Sequence, residues 1–374
     1  MLKRDTKGFR VLIAGGGTGG HLYPALGIAQ GLREVDRRAD IRFVGSRYGL
    51  EERVLPEENE VFYPLNIRGL QRGFGPVALG RNLIFPWRFW SSYRRCREIL
   101  REFQPQVVVG TGGYAAGLPL MAAQREGIPT LLQEQNSYPG ITTRRLAPRA
   151  KMVCLTYKES AEYLKTNRWV VTGNPVRFND DLPSKTDARQ QLGLSPRKPV
   201  VFILGGSQGS RPLNNHFLAN WRTYTDEFRV ELLWQTGPAD HGRLLKEVGE
   251  GKGVILKPYI AHIAAAYIAA DLVISRAGAM TISEITALGK PSVLVPFPSA
   301  AADHQTKNAE VLVRKRAARI VLQRELSQGV LEQTVGKLLD TPSRLRDMAG
   351  RAKRLAKPDA RQKIVAHILK LMED

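Results

Sequence analysis

Residues 14–32 read AGGGTGGHLYPALGIAQGL: an apolar strand end, five glycines within six positions, then His21 where a helix should begin. A glycine-rich turn opening a helix brings backbone N–H groups close to a phosphate. The positive end of a helix dipole disfavours imidazolium, so His21 is expected to stay neutral and able to accept a proton. A phosphate contact or a helix cap would use the same residue without any proton transfer. No metal set accompanies it, because the six histidines are scattered without ligand spacing and no D-x-D occurs. Cys96 and Cys154 lie far apart, in no CxxC pattern, which fits a reducing compartment and argues against disulfides or a zinc knuckle.

These residues need elements to hold them. RVLIAG (residues 10–15) reads as a strand feeding the glycine turn, and PVVFILGGSQGSRPLNNHFLANW (199–221) repeats that strand–loop–helix unit. Two such units in a chain of 374 residues predict an α/β protein of two doubly wound domains. The boundary is expected within residues 172–199, rich in proline and polar groups. This gives a first domain at 1–177 and a second at 178–355. The last run, DARQKIVAHILKLMED, carries Ile364, Val365, Ile368, Leu369 and Leu371 on a helical stripe. A helix over about 356–374 is expected to pack back on the first domain. The opening MLKRDTKGFR shows no apolar leader, so an export signal is not expected. The long uncharged stretch Pro105–Gln124 is broken by Gly-Gly and Pro119 and reads as strand, loop and helix rather than a membrane span.

The 56 basic residues outnumber the 35 acidic ones, giving a net charge of +21. Such an excess implies an anionic partner: nucleic acid, a membrane surface or a phosphorylated substrate. A solvated basic surface accounts for the same number. A nucleic-acid reading would need clustered Lys and Arg with stacking aromatics on one exposed face, and it leaves the glycine motifs unexplained. A nicotinamide reading fits Gly15, Gly17 and Gly20 as GxGxxG. The second strand, IRFVGSR, however ends in Gly45, Ser46 and Arg47 instead of the acid that holds a ribose, although Arg47 could suit NADP.

Further stretches occur in a fixed order: GTGGYAAGLPLMAA, QEQNSYPG, TGNPVR, LGGSQGS, SRAGAMTISEITALGKPSVLVPFP and ADHQTKNA. Together with GGGTGGHLYPALGIA they closely resemble the MurG family. Its members are bacterial UDP-N-acetylglucosamine transferases that act on the lipid-linked muramyl-pentapeptide precursor of peptidoglycan. The motifs reach from Ala14 to Ala309. One departure is visible: members usually read HEQN where this chain has QEQN, so Gln133 replaces a histidine.

The resemblance implies a GT-B fold, two Rossmann-like domains facing a cleft, with the acceptor on the first and the donor nucleotide on the second. It implies inverting, metal-independent transfer of GlcNAc from UDP-GlcNAc to the muramyl C4 hydroxyl of undecaprenyl-pyrophosphoryl-MurNAc-pentapeptide, with no cofactor and no nucleic acid. Another UDP-sugar enzyme of the same fold, a glycolipid transferase or an epimerase, is the alternative. On the acceptor side it points to His21 and Glu134 as catalytic, the carboxylate opposing the helix dipole and orienting the ring. Thr18, Gly19, Gly20 and Asn136 complete that face, and Tyr114 is either acceptor-facing or packed. On the donor side it points to Arg177, Ser207, Ile260, Ala279, Met280, Thr281, Ile282, Ser283, Glu284, His304 and Gln305. Glu284 would accept from both ribose hydroxyls, Ile260 would present its backbone to the uracil edge, and His304 with Gln305 would meet the sugar or diphosphate. Thr281 and Glu284 also form T-x-x-E, a capping-box pattern. Arg276 is balanced between the diphosphate and a strand-end carbonyl.

Residues 68–97 interleave Phe74, Leu79, Leu83, Ile84, Phe85, Trp87, Phe89 and Trp90 with arginines. That mixture suits an interfacial anchor on an anionic membrane surface, here the cytoplasmic face of the bacterial plasma membrane. An amphipathic core helix is the simpler reading of part of it.

Overall fold

Val11, Leu12, Ile13 and Ala14 are all buried, as a strand covered on both faces requires, and the run has no polar alternation to spoil it. Their strand, β1 (Arg10–Ala14), lies in the middle of a parallel sheet. The computed structural model describes residues 8–68, 85–176, 178, 181–249, 251, 253–300 and 303–373. The chain forms two compact units, Met1–Arg177 with Pro358–Asp374, and Phe178–Lys357.

In the first unit β1 is followed by α1 (Gly19–Val35), β2 (Asp40–Ser46), α2 (Glu51–Glu57) and β3 (Val61–Leu65). Then come α3 (Phe85–Phe103), β4 (Val107–Gly110), α4 (Gly117–Arg125), β5 (Thr130–Glu134), α5 (Ile141–Leu146), β6 (Met152–Leu155) and β7 (Trp169–Val171). The described strands form one seven-stranded sheet in the order β3-β2-β1-β4-β5-β6-β7, every pair parallel. The order reverses between β1 and β4, where a doubly wound sheet opens a crevice beyond its strand ends.

The second unit begins with α6 (Lys185–Gln191), β8 (Val200–Leu204), α7 (Arg211–Arg222), β9 (Glu231–Gln235), α8 (Pro238–Val248) and β10 (Val254–Lys257). It continues through α9 (Ile263–Ala269), β11 (Leu272–Ser275), α10 (Ala279–Ala287), β12 (Ser292–Leu294), α11 (His304–Arg314), β13 (Arg319–Ile320), α12 (Val330–Leu339) and α13 (Pro342–Arg354). Its described strands run β10-β9-β8-β11-β12-β13, again parallel, with the reversal between β8 and β11.

The last helix, α14 (Ala360–Glu373), buries Ile364, Val365 and Ile368 in the same core as Leu22, Ile28 and Leu32 of α1. Gly31 permits this approach, since a Cβ there would lie 2.8 Å from Arg361 Cγ and 2.9 Å from Val365 Cγ2. Among the described residues, no helix is long and apolar enough to cross a membrane.

Candidate active site

Three loops leave the carboxyl ends of β1, β4 and β5, next to the reversal of the first sheet, and together they hold His21. The ring stands at the third position of α1, whose N-cap Thr18 is extended and makes no side-chain cap. Gly15 lets the loops meet, because a Cβ on it would lie 1.9 Å from Thr111 Oγ1. That hydroxyl instead donates to the His21 carbonyl at 2.8 Å. Gly112, at φ 92°, passes so close that a Cβ would sit 2.9 Å from His21 Nδ1.

His21 Nδ1 lies 3.0 Å from the Thr111 carbonyl oxygen and 3.1 Å from Gln135 Oε1. Both partners are acceptors, so Nδ1 carries a hydrogen, and in the neutral ring the lone pair is on Nε2. Glu134 does not orient the ring as expected. It is buried, and its Oε1 accepts from Asn136 N at 3.1 Å and Asn136 Nδ2 at 3.3 Å. Its Oε2 accepts from Gly140 N at 3.0 Å, so this carboxylate shapes the 134–140 loop. Asn136 stands on that loop, its carbonyl accepting from Ser160 Oγ at 2.8 Å. Tyr114 is exposed and would lie 3.1 Å from a Cβ on Gly17.

Sequence reasoning missed Glu51. Its carboxylate is fully buried under the glycine turn, accepting from Gly17 N at 2.7 Å and from Ser46 N at 2.9 Å. An anion already sits where a dinucleotide pyrophosphate would need that N–H, which argues against the NADP reading. Gly19 and Gly20 open α1, where first-turn N–H groups have no intrahelical acceptor.

The second unit repeats the arrangement beyond β8, β9, β11 and β12. Ser207 lies in the 205–210 turn, which closes through Gly209 N to the Gly206 carbonyl at 3.0 Å. Gln235, buried at the end of β9, donates to the Gly206 carbonyl at 3.1 Å and accepts from Ile260 N at 2.9 Å. The Ile260 N–H is therefore spent, and only its carbonyl is left to a base.

Ala279, Met280, Thr281, Ile282, Ser283 and Glu284 form the first part of α10, whose N-cap is Gly278 with no capping side chain. Thr281 is thus the third helical residue, and the T-x-x-E pattern is not a capping box. Glu284 Oε2 accepts from Tyr267 Oη at 2.8 Å. Burial pushes the Glu284 carboxyl up to about 7, against the pull of that hydrogen bond, and burial likewise raises the Tyr267 phenol.

His304 and Gln305 open α11, and Gln305 Oε1 accepts from Phe297 N at 2.9 Å. Arg276 resolves to the structural role. Its Nε and Nη2 reach Ser210 Oγ at 3.0 and 2.8 Å, and Nη1 reaches the Val295 and Pro296 carbonyls at 3.1 and 3.0 Å. Nη2 also reaches Gln323 Oε1 at 2.6 Å, so all five N–H groups are used. Burial lowers it to about 10, leaving it cationic at neutral pH. Arg177 lies outside the described residues.

Among the described residues, no three His, Cys, Asp or Glu side chains gather as a metal site. Both cysteines are buried, which pushes their thiols up to about 12 and keeps them un-ionised at neutral pH. On α3, Tyr93, Cys96, Ile99, Leu100 and Phe103 face the core, while Trp87 is 76% and Trp90 61% exposed. Residues 69–84 of the expected anchor lie outside the described residues.

Two parallel Rossmann-like sheets, each with its loops massed at the reversal point, make up the GT-B fold. Residues 11–155 match the glycosyltransferase family 28 N-terminal domain, and residues 200–364 match the family 28 C-terminal domain. The chain belongs to the family of UDP-N-acetylglucosamine–N-acetylmuramyl-(pentapeptide) pyrophosphoryl-undecaprenol N-acetylglucosamine transferases. It is 39% identical to the transferase of that name from Bacteroides fragilis, over 97% of this chain and 96% of the relative. It is 40% identical to that of Chlorobium luteolum, over 97% and 99%. The crystal structure of MurG from Acinetobacter baumannii superposes with a TM-score of 0.73 at 29% identity, covering 97% of this chain and 99% of that one.

Proposed function

We propose that the chain transfers GlcNAc from UDP-GlcNAc to the C4 hydroxyl of the muramyl sugar of undecaprenyl-pyrophosphoryl-MurNAc-pentapeptide, giving lipid II at the cytoplasmic face of the plasma membrane. The observation that carries the mechanism is the His21 ring, whose Nδ1 faces two acceptors and whose Nε2 holds the lone pair. The acceptor oxygen attacks the anomeric carbon of the donor as its proton passes to Nε2. The bond to the diphosphate breaks, its electron pair leaves with UDP, and the configuration inverts.

Departing negative charge meets the backbone of the 205–210 turn and the uncapped start of α10, and the resemblance adds the cation of Arg177. Ser207, the Ile260 carbonyl, residues 279–284, His304 and Gln305 hold the nucleotide sugar, and Glu284 takes the ribose diol. Thr18, Gly19, Gly20 and Asn136 hold the acceptor. Trp87 and Trp90, beside Arg88 and Arg94 and within a chain of net charge +21, suit docking on an anionic membrane surface.

Turnover of the His21→Ala protein tests the reading. The kcat should fall by about two to four orders of magnitude, while UDP-GlcNAc affinity stays unchanged. Near-normal turnover in the folded variant would remove His21 from proton transfer.

A further inference from the structure

The hydrogen on His21 Nδ1 is dictated from deeper in the first unit. Gln133 lies near the end of β5 and Gln135 just past it, two residues on, so their side chains leave the same face. Gln135 is 2% and Gln133 0% exposed, and Asn174, from the loop after β7, is 2% exposed. Gln133 Nε2 donates to Asn174 Oδ1 at 2.8 Å, which turns Gln133 Oε1 toward Gln135. Gln135 Nε2 donates to that oxygen at 2.5 Å and to the Thr111 carbonyl at 2.6 Å. With its NH2 so engaged, Gln135 can present only Oε1 to the imidazole, at 3.1 Å from Nδ1.

Each amide therefore fixes the orientation of the next. Water offers an imidazole both donors and acceptors on either nitrogen, whereas this pocket offers Nδ1 acceptors alone. A flipped Gln135 would point N–H groups at Nδ1 and set its carbonyl oxygen against the Thr111 oxygen, leaving buried groups unpaired.

We propose that Asn174, Gln133 and Gln135 form a buried, uncharged relay that selects the Nδ1–H tautomer of His21 and so keeps the Nε2 lone pair on the acceptor side. They are positioning residues, acting through His21 and touching no substrate. The inference rests on the reading of His21 as the base, but its test does not depend on turnover. The relay has no carboxylate, so it sets the tautomer without pairing the imidazolium with a negative charge. A glutamine at position 133 does this work because it is donor and acceptor at once.

The test is nitrogen NMR of the full chain labelled with 15N-histidine, the His21 signals being assigned from the His21→Ala spectrum. Wild-type protein at neutral pH should show hydrogen on Nδ1 and none on Nε2. Gln133→Leu leaves the Gln135 NH2 only backbone carbonyls to hold it, so Gln135 can turn and a measurable share of His21 should pass to the Nε2–H form. Its kcat should fall at least about tenfold with UDP-GlcNAc affinity unchanged. Should Gln133→Leu fail to fold, Asn174→Leu removes the oxygen that orients Gln133, whose NH2 can then turn toward Gln135. A share of His21 should again pass to the Nε2–H form. An Nε2–H ring in the wild type, or wild-type signals in the folded variants, would overturn the relay. Full turnover by His21→Ala would overturn the base reading while leaving the tautomer result standing.

Discussion

Replacing Glu284 by alanine should abolish a pH dependence of donor binding that the intact protein shows. Burial holds the free carboxyl up to about 7 from an ordinary 4.5, and only its ionised form accepts fully from both ribose hydroxyls. With a midpoint of about 7, roughly a tenth of the protein is ionised at pH 6 and roughly nine-tenths at pH 8. Affinity for UDP-GlcNAc should therefore fall about tenfold from pH 8 to pH 6. Both phosphates of UDP-GlcNAc are esterified, so the ligand brings no titration of its own to that window. Calorimetry should show the slope in wild-type protein, and weaker, pH-independent binding in Glu284→Ala.

Stability moves with the same group. Its folded value lies above the unfolded one, so its contribution is fully present below pH 4.5 and is lost as pH rises through about 7. Equal UDP-GlcNAc affinity at pH 6 and pH 8 in the wild type would refute the assignment of Glu284 to the ribose.

Two other perturbations read different parts of the molecule. Glu51→Gln keeps the volume but turns an N–H toward either Gly17 N or Ser46 N. Thermal unfolding should show a loss of about 1–3 kcal/mol, and unchanged stability would mean the glycine turn does not need its buried anion. Replacing Trp87 and Trp90 together by serine should weaken co-sedimentation with anionic vesicles at least about tenfold, since burying one large apolar side chain contributes about 1.5–3 kcal/mol. UDP-GlcNAc binding should be untouched, and equal sedimentation of both proteins would remove these rings from the membrane contact.

The architecture was legible because buried parallel strands announce themselves as unbroken apolar runs. RVLIA and VVFIL are such runs, and each is followed by the glycine turn that a strand-to-helix crossover needs. The order of the motifs carried the family and therefore the chemistry.

Individual partners were not legible, because they are set by contacts between loops far apart in sequence. Glu51 meets Gly17 only once β1 and β2 pair, which also places an acid where the strand-end rule found none. The T-x-x-E pattern at Thr281 fits a capping box, but α10 begins at Ala279 after the N-cap Gly278, and Glu284 turns to Tyr267 instead. Arg276 looked available to a phosphate until its five donors were traced to Ser210, Gln323 and two strand-end carbonyls. Gln133 stood out as a departure from the family pattern, and only its bonds to Asn174 and Gln135 say what it does.

The most direct measurement incubates the purified chain with UDP-GlcNAc and a short-chain analogue of the lipid-linked muramyl-pentapeptide, then weighs and sequences the product. The product should gain the mass of one GlcNAc residue, joined β1→4 to the muramyl sugar, with one UDP released per transfer. UDP-GlcNAc consumed without that disaccharide, or converted to an epimer with no acceptor required, would refute the proposed transfer.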